Sequence, residues 1–147
     1  MNNISTNAAD FSRSLMAMAD YVDGSIEKVI RKACIDLYRA IAEKTPVDTG
    51  RAKASWSLST NYADDKATEE DYSYNEVKQI IKDNVSGFKL SIHDDQVVIY
   101  NNMEYIDILE SGTGSGQAPN GMVSISLVEF TAFFNNVLQG LEGLSST

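Results

Sequence analysis

The chain is poor in the residue types that mark most chemical functions. It has one cysteine (Cys34), one histidine (His93), two prolines and one tryptophan (Trp56). A single thiol excludes an internal disulfide framework and suits a reducing compartment. Positive charge is also scarce: 12 lysines and arginines stand against 21 aspartates and glutamates, for a net charge of −9. A compact acidic domain is ill suited to gripping nucleic-acid phosphates by counterion release. No apolar run approaches the roughly 18 residues a membrane span needs. The opening MNNISTNAADF has neither a basic start nor an apolar core, so secretion is not expected.

What is present is enough for a core. The chain has 147 residues, 43% of them hydrophobic, which fits one domain able to bury about two-thirds of its unfolded surface. Apolar residues recur at three- and four-residue intervals from Phe11 through Leu15, Met18, Val22, Ile26, Ile30, Ala33 and Leu37 to Ile41. This predicts a long N-terminal helix with one packing stripe. Gly24 is its weak point, and a break there would give two helices capped at Asp23 or Ser25. Unbroken, it would be about 50 Å long and would project from a domain of this size.

Pro46 ends that helix. Trp56 and Leu58 alternate with serines, which predicts a strand with one buried face. The polar, acidic stretch at about 61–74 (Asp64, Asp65, Glu69, Glu70, Asp71) reads as an excursion or mobile loop, and Val77, Ile80, Ile81 and Val85 predict a short helix after it. Phe88, Leu90 and Ile92 alternate and lead through His93–Gln96 into Val97–Tyr100, which predicts a hairpin. Val123, Leu127, Phe130, Phe134, Val137, Leu138 and Leu141 mark a final helix, although its first turn also fits strand alternation. The predicted class is α+β, with a long N-terminal helix and a C-terminal helix packed on a small antiparallel sheet. Its strands would be Trp56–Leu58, Phe88–Ile92 and Val97–Tyr100, and its core would include Trp56, Leu90, Ile99, Leu109, Phe130 and Phe134.

No catalytic, cofactor-binding or metal-binding constellation emerges. Gly112, Gly114 and Gly116 resemble a phosphate loop only superficially, because Gln117 stands where G-x-G-x-x-G needs its next glycine and no lysine follows. Thr113 breaks the G-x-S-x-G pattern around Ser115. His93 lies beside Asp94 and Asp95, where a metal would find ligands, but a polar turn explains all three. Cys34 falls inside the helical stripe and reads as a small buried hydrophobe. Glu110 ends a short predicted helix containing Tyr105, Ile108 and Leu109, where a salt bridge or solvent contact is the expected role. The chain is therefore expected not to be an enzyme.

The run Ser111–Gly121 is rich in small residues and nearly free of charge, so it is either a flexible tip or a surface shaped to lie against something else. Around it the sequence resembles a family. TPVDTGR with a following ASW, then YNNMEYIDILESG, then QAPNGMV, are similar in order and spacing to the neck or tail-completion proteins of tailed bacteriophages. The resemblance covers about 44–59 and 97–130. It departs in the acidic insertion and in the TGSG run, which is longer than the family's usual step. It implies a structural, non-enzymatic virion protein without cofactor, assembled in the host cytoplasm as a homo-oligomeric ring, usually a hexamer. Its implied neighbours are the connector, adaptor or stopper protein on one side and a tail terminator or tail tube protein on the other. DNA would pass through the ring without sequence-specific binding, and no membrane is involved. Arg51, Tyr105, Glu110, Gln117, Ala118, Pro119 and Met122 become the expected contacts with other subunits or neighbours. The alternatives are a tail terminator or minor tail component, or an acidic inhibitor that binds a basic partner. Thr113–Asn120 is expected to be mobile in a lone subunit and ordered against a neighbour, while Asp64, Asp65, Glu69, Glu70 and Asp71 would face the channel or outer solvent.

Overall fold

The computed structural model describes residues 4–21, 26–47, 50–68, 70–91, 93–94, 96–112 and 121–145. The N-terminal stripe is divided between two helices, α1 (Ile4–Tyr21) and α2 (Ile26–Lys44). Phe11 and Leu15 of α1 and Cys34, Leu37 and Ile41 of α2 are buried in one hydrophobic cluster. A single projecting 50 Å rod is therefore not what these residues form. One continuous stripe can also be buried by folding it back, and two helices packed on a common core bury both halves of it. The residues 22–25 that join them, Gly24 included, lie outside those described.

The remaining elements are α3 (Arg51–Ala54), β1 (Ser57–Thr60), α4 (Tyr74–Gly87), β2 (Val97–Tyr100), α5 (Ile106–Glu110) and α6 (Val123–Ser145). The class is α+β, as the periodicities indicate. α6 begins as helix at Val123, so the alternation of its first turn does not make a strand. α1 lies along α6 and runs in the same direction: Asn7 Nδ2 donates to Ser124 Oγ (2.7 Å) and Ser14 Oγ to Asn135 Oδ1 (2.8 Å). Between them the Phe11 and Phe134 rings sit 5.4 Å apart. Ser124 and Ser126, both buried, keep the start of α6 slim enough for this approach.

Among the described residues the sheet has two strands. β1 pairs antiparallel with β2 in the register Ser57↔Tyr100, Leu58↔Ile99, Ser59↔Val98 and Thr60↔Val97. Leu58, Ile99 and Val97 thus share the face that packs on the core. The expected hairpin of Phe88–Ile92 with Val97–Tyr100 does not form among the described residues. α4 runs to Gly87, and Phe88 caps it by donating its N–H to the Val85 carbonyl (3.2 Å). Ser91 then closes a tight turn with Asp94: its N–H donates to Asp94 Oδ2 (2.8 Å), and its carbonyl accepts from the Asp94 N–H (3.0 Å). These bonds use groups that a ladder would need. Ile92 lies outside the described residues.

Of the expected core residues, Trp56, Leu109 and Phe134 are buried, whereas Leu90, Ile99 and Phe130 are half-buried against the cluster. A chain of buried hydrogen bonds joins α2, α4 and the start of β1. Trp56 Nε1 donates to Thr45 Oγ1 (2.7 Å), which donates onward to the Ile41 carbonyl (2.8 Å). The Trp56 carbonyl accepts from Tyr38 OH (3.4 Å) and Asn84 Nδ2 (3.2 Å), and Asn84 also donates to Tyr38 OH (2.8 Å). Burial pushes the Tyr38 phenol up, against a smaller opposing effect of the Asn84 hydrogen bond.

α4 starts with a capping box. Ser73 Oγ accepts from the Glu76 N–H (3.3 Å), and Glu76 Oε1 accepts from the Ser73 N–H (3.0 Å). The bonds from Ser73 hold the Glu76 carboxyl below the usual range, so the stability they confer is present at neutral pH and is lost as pH falls through that lowered value.

Candidate functional site

The segment flanking the glycine-rich run is built around Glu110. On α5, Leu109 points into the core at 8% exposure, while Ile108 and Tyr105, the residue just before the helix, are 55% and 38% exposed. The helix closes through Ser111 N–H to the Asp107 carbonyl (3.0 Å) and Gly112 N–H to the Leu109 carbonyl (3.1 Å), with Gly112 at φ 82°. Across the gap, the Glu110 carboxylate takes the start of α6. Oε1 accepts from the N–H groups of Met122 (3.0 Å) and Val123 (2.8 Å), and Oε2 accepts from the N–H of Ser124 (3.0 Å). These are amide donors that a helix N-terminus leaves without an intrahelical partner, and the negative charge sits at the positive end of the helix dipole.

Gly121 makes this closure possible. Its φ is 79°, and a Cβ there would collide with the Glu110 carbonyl and crowd the carboxylate. Only glycine meets both demands without strain.

The TPVDTGR turn is assembled in a similar way. Gly50 has φ 79° and packs so closely under the Tyr72 carbonyl that a Cβ would clash with it. Arg51 Nη2 reaches Asp71 Oδ1 at 2.8 Å. Farther along, Asn102 Nδ2 donates to the carbonyls of Asp64 (2.8 Å) and Lys66 (2.9 Å), and Tyr100 OH to Asp64 Oδ2 (3.4 Å). The acidic excursion is therefore held at both ends against the turn and the strand. Asp64, Asp65, Glu70 and Asp71 remain exposed; Glu69 lies outside the described residues.

These positions redistribute the expected contact residues. Met122 is fully buried and offers no side-chain surface, because it fills the core directly beneath the Glu110 cap. The Glu110 carboxylate is occupied inside the chain, and Arg51 makes an internal ion pair. Both residues thus have partners within the chain, although the Arg51–Asp71 pair lies at the surface. Tyr105 is at the surface. Gln117, Ala118 and Pro119 lie outside the described residues, as does the whole of Thr113–Asn120.

Among the described residues, no three His, Cys, Asp or Glu side chains converge as a metal-binding group. His93 sits in the turn closed by Ser91 and Asp94. Cys34 is 6% exposed, and burial pushes its thiol from 9.0 up to about 11, opposite to the shift a nucleophile needs. At pH 8 the thiolate is thus depleted about 100-fold. A disulfide reagent such as DTNB is expected to label native Cys34 at least about 100-fold more slowly than the urea-unfolded chain; equal rates would show an accessible, ordinary thiol. Because the folded value lies above the unfolded one, this thiol costs nothing below about pH 9 and lowers stability as pH rises toward 11.

Among the described residues, eleven large hydrophobic side chains are exposed, including Tyr105 at the start of α5 and Ile108 on it, Val128 and Phe133 on α6, and Met16 and Tyr21 on α1. The Glu110 cap holds α5 and the start of α6 in fixed relation, with Tyr105 and Ile108 exposed beside it. Comparison with protein-family models, curated proteins and solved structures returns no match to this chain.

Proposed function

We propose that this chain is a structural protein of the head–tail junction of a tailed bacteriophage, acting as a neck or tail-completion component. In this reading, copies assemble into a ring that joins the connector to the tail and surrounds the DNA passage. The observation that carries the reading is the exposed pair Tyr105, at the start of α5, and Ile108 on it, next to the glycine-rich run, within the YNNMEYIDILESG segment that resembles the family. An exposed aromatic and aliphatic pair on a short, well-anchored helix is the kind of patch that protein contacts cover. The excess of acid supports the conduit role, since a negative lumen lets a polyanion slide without sticking.

The test is an in vitro assay joining filled heads to tails. Tyr105→Ser/Ile108→Asp and, separately, Gln117→Ala/Pro119→Ala should each leave the thermal midpoint of the soluble protein nearly unchanged. Each should reduce joining at least tenfold. Normal joining by both double variants would remove the assignment.

A further inference from the structure

Positive charge is rare in this chain, yet a third of it is gathered at one place. Arg39 on α2, Lys53 on α3, and Lys78 and Lys82 on α4 all line a cavity of about 340 Å³ between those helices. Among the described residues, Glu43 is the one carboxylate in its wall. The ion pairs among the described residues involve Arg13, Lys32, Lys44 and Arg51, and none of the four cavity cations. Lys78 and Lys82 stand one turn apart on the same helix, a like-charge spacing that is unfavourable by itself. In a chain of net −9, four cations lining one cavity with a single carboxylate, and with no ion pair among the described residues, mark a surface complementary to an anion.

The rest of the wall is apolar. It is lined by Val77 and Ile81 of α4, Val77 being buried, together with Val47, Tyr72 and Tyr74. Tyr74 is 75% exposed, and the Lys78 ammonium lies 5.4 Å from its ring centre, which positions the ring at the rim. A phosphate or other small anion has no use for such a lining, and seating one there would desolvate it. A duplex needs a row of cations along an extended surface rather than four gathered at one cavity with apolar lining, and the chain's overall charge repels it. The volume lies at the low end of the roughly 300–1,000 Å³ typical of ligand pockets, right for one large side chain with its neighbours at the rim.

We infer that the α2–α3–α4 cavity is a docking site for an acidic peptide segment that inserts one apolar anchor between the lysines. The anchor would pack on Val77 and Ile81, and flanking carboxylates would meet Arg39, Lys53, Lys78 and Lys82. Charge complementarity selects such a partner over basic or neutral ones.

The probe is a fluorescein-labelled, terminally blocked nine-residue peptide with a central Phe-Leu pair flanked by aspartates and glutamates, titrated with the full chain. The expected result is saturable binding that weakens at least tenfold in Lys78→Glu/Lys82→Glu, whose sites are exposed enough to leave folding intact. Binding should also weaken as salt is raised, and fall at least tenfold when Phe-Leu is replaced by Ser-Gly. Amide shifts of the labelled protein should concentrate on α4 and the C-terminal half of α2. Absence of binding at millimolar peptide, or binding indifferent to the double charge reversal or to loss of the anchor, would overturn the assignment. So would a 20-base-pair duplex that binds as tightly as the peptide. An oligomer of the free chain that the same double variant dissociates would instead give the cavity to a second copy, which also overturns it.

Discussion

Replacing Trp56 with alanine is expected to remove about 3–5 kcal/mol of stability, the range for truncating a buried aromatic. The indole is 4% exposed and sits at the junction of α2, β1 and α4. Truncation opens a cavity and also leaves the Thr45 hydroxyl without its donor, while Thr45 itself is 2% exposed and cannot turn to solvent. For a domain whose total stability is about 5–15 kcal/mol, this is a large share. The midpoint of thermal unfolding, followed by circular dichroism, should fall by roughly 10–20 °C. Trp56→Phe keeps most of the packing and loses the hydrogen bond, so it should cost about 1–2 kcal/mol. A Trp56→Ala protein as stable as the parent would mean that this junction is not part of the core. Since Trp56 is the sole tryptophan, its emission in the parent reports unfolding at this one junction.

Glu110→Ala is the second large effect. It strips three amide donors at the start of α6 of their acceptor, and their neighbour Met122 is fully buried. Losing an ordinary N-cap costs about 0.5–2 kcal/mol. Here the bonds are charge-assisted and threefold, so a loss of about 2–3 kcal/mol is expected. Glu110→Gln should fall between, because its amide offers one oxygen where the carboxylate offers two. Urea unfolding gives the size of the loss. Hydrogen exchange gives its location: protection should drop first at Met122, Val123 and Ser124. Unchanged exchange at those three amides would show that the cap is not what holds the helix start.

The helices of this fold are open to a reading of hydrophobic spacing, and their arrangement is not. The stripe from Phe11 to Ile41 has the same three-and-four rhythm whether it belongs to a rod or to two helices packed on one core. Periodicity carries no information about a reversal. The strand partner of Val97–Tyr100 is hidden for a different reason. Local rules favour the nearest alternating run, Phe88–Ile92, whereas the actual partner is the distant Ser57–Thr60 and the nearer run is consumed by a helix cap and the Ser91–Asp94 turn. Ser73-Tyr-Asn-Glu76 carries the S-x-x-E signature, so that cap is legible; hydrophobic spacing alone overlooks it. Glu110 is the opposite case. Its three amide partners lie 12–14 residues away, no spacing rule links them, and a charged residue beside a small-residue run looks like part of an outward surface. The positive-φ glycines at 50 and 121 follow the same logic. Glycine in a turn is expected, but the backbone that presses on each comes from elsewhere in the chain.

The Glu110 cap has a consequence for how this chain can vary. It ties the end of α5 to the start of α6 from below, so the span between Gly112 and Gly121 is closed by contacts that do not include it. For such a closed span, doubling the length adds only about 0.6 kcal/mol of closure entropy. The cap itself thus makes no demand on the length of the stretch that joins Gly112 to Gly121. What it does fix is the relation of Glu110 to Met122, Val123 and Ser124, and that relation survives a change of length between them at small cost.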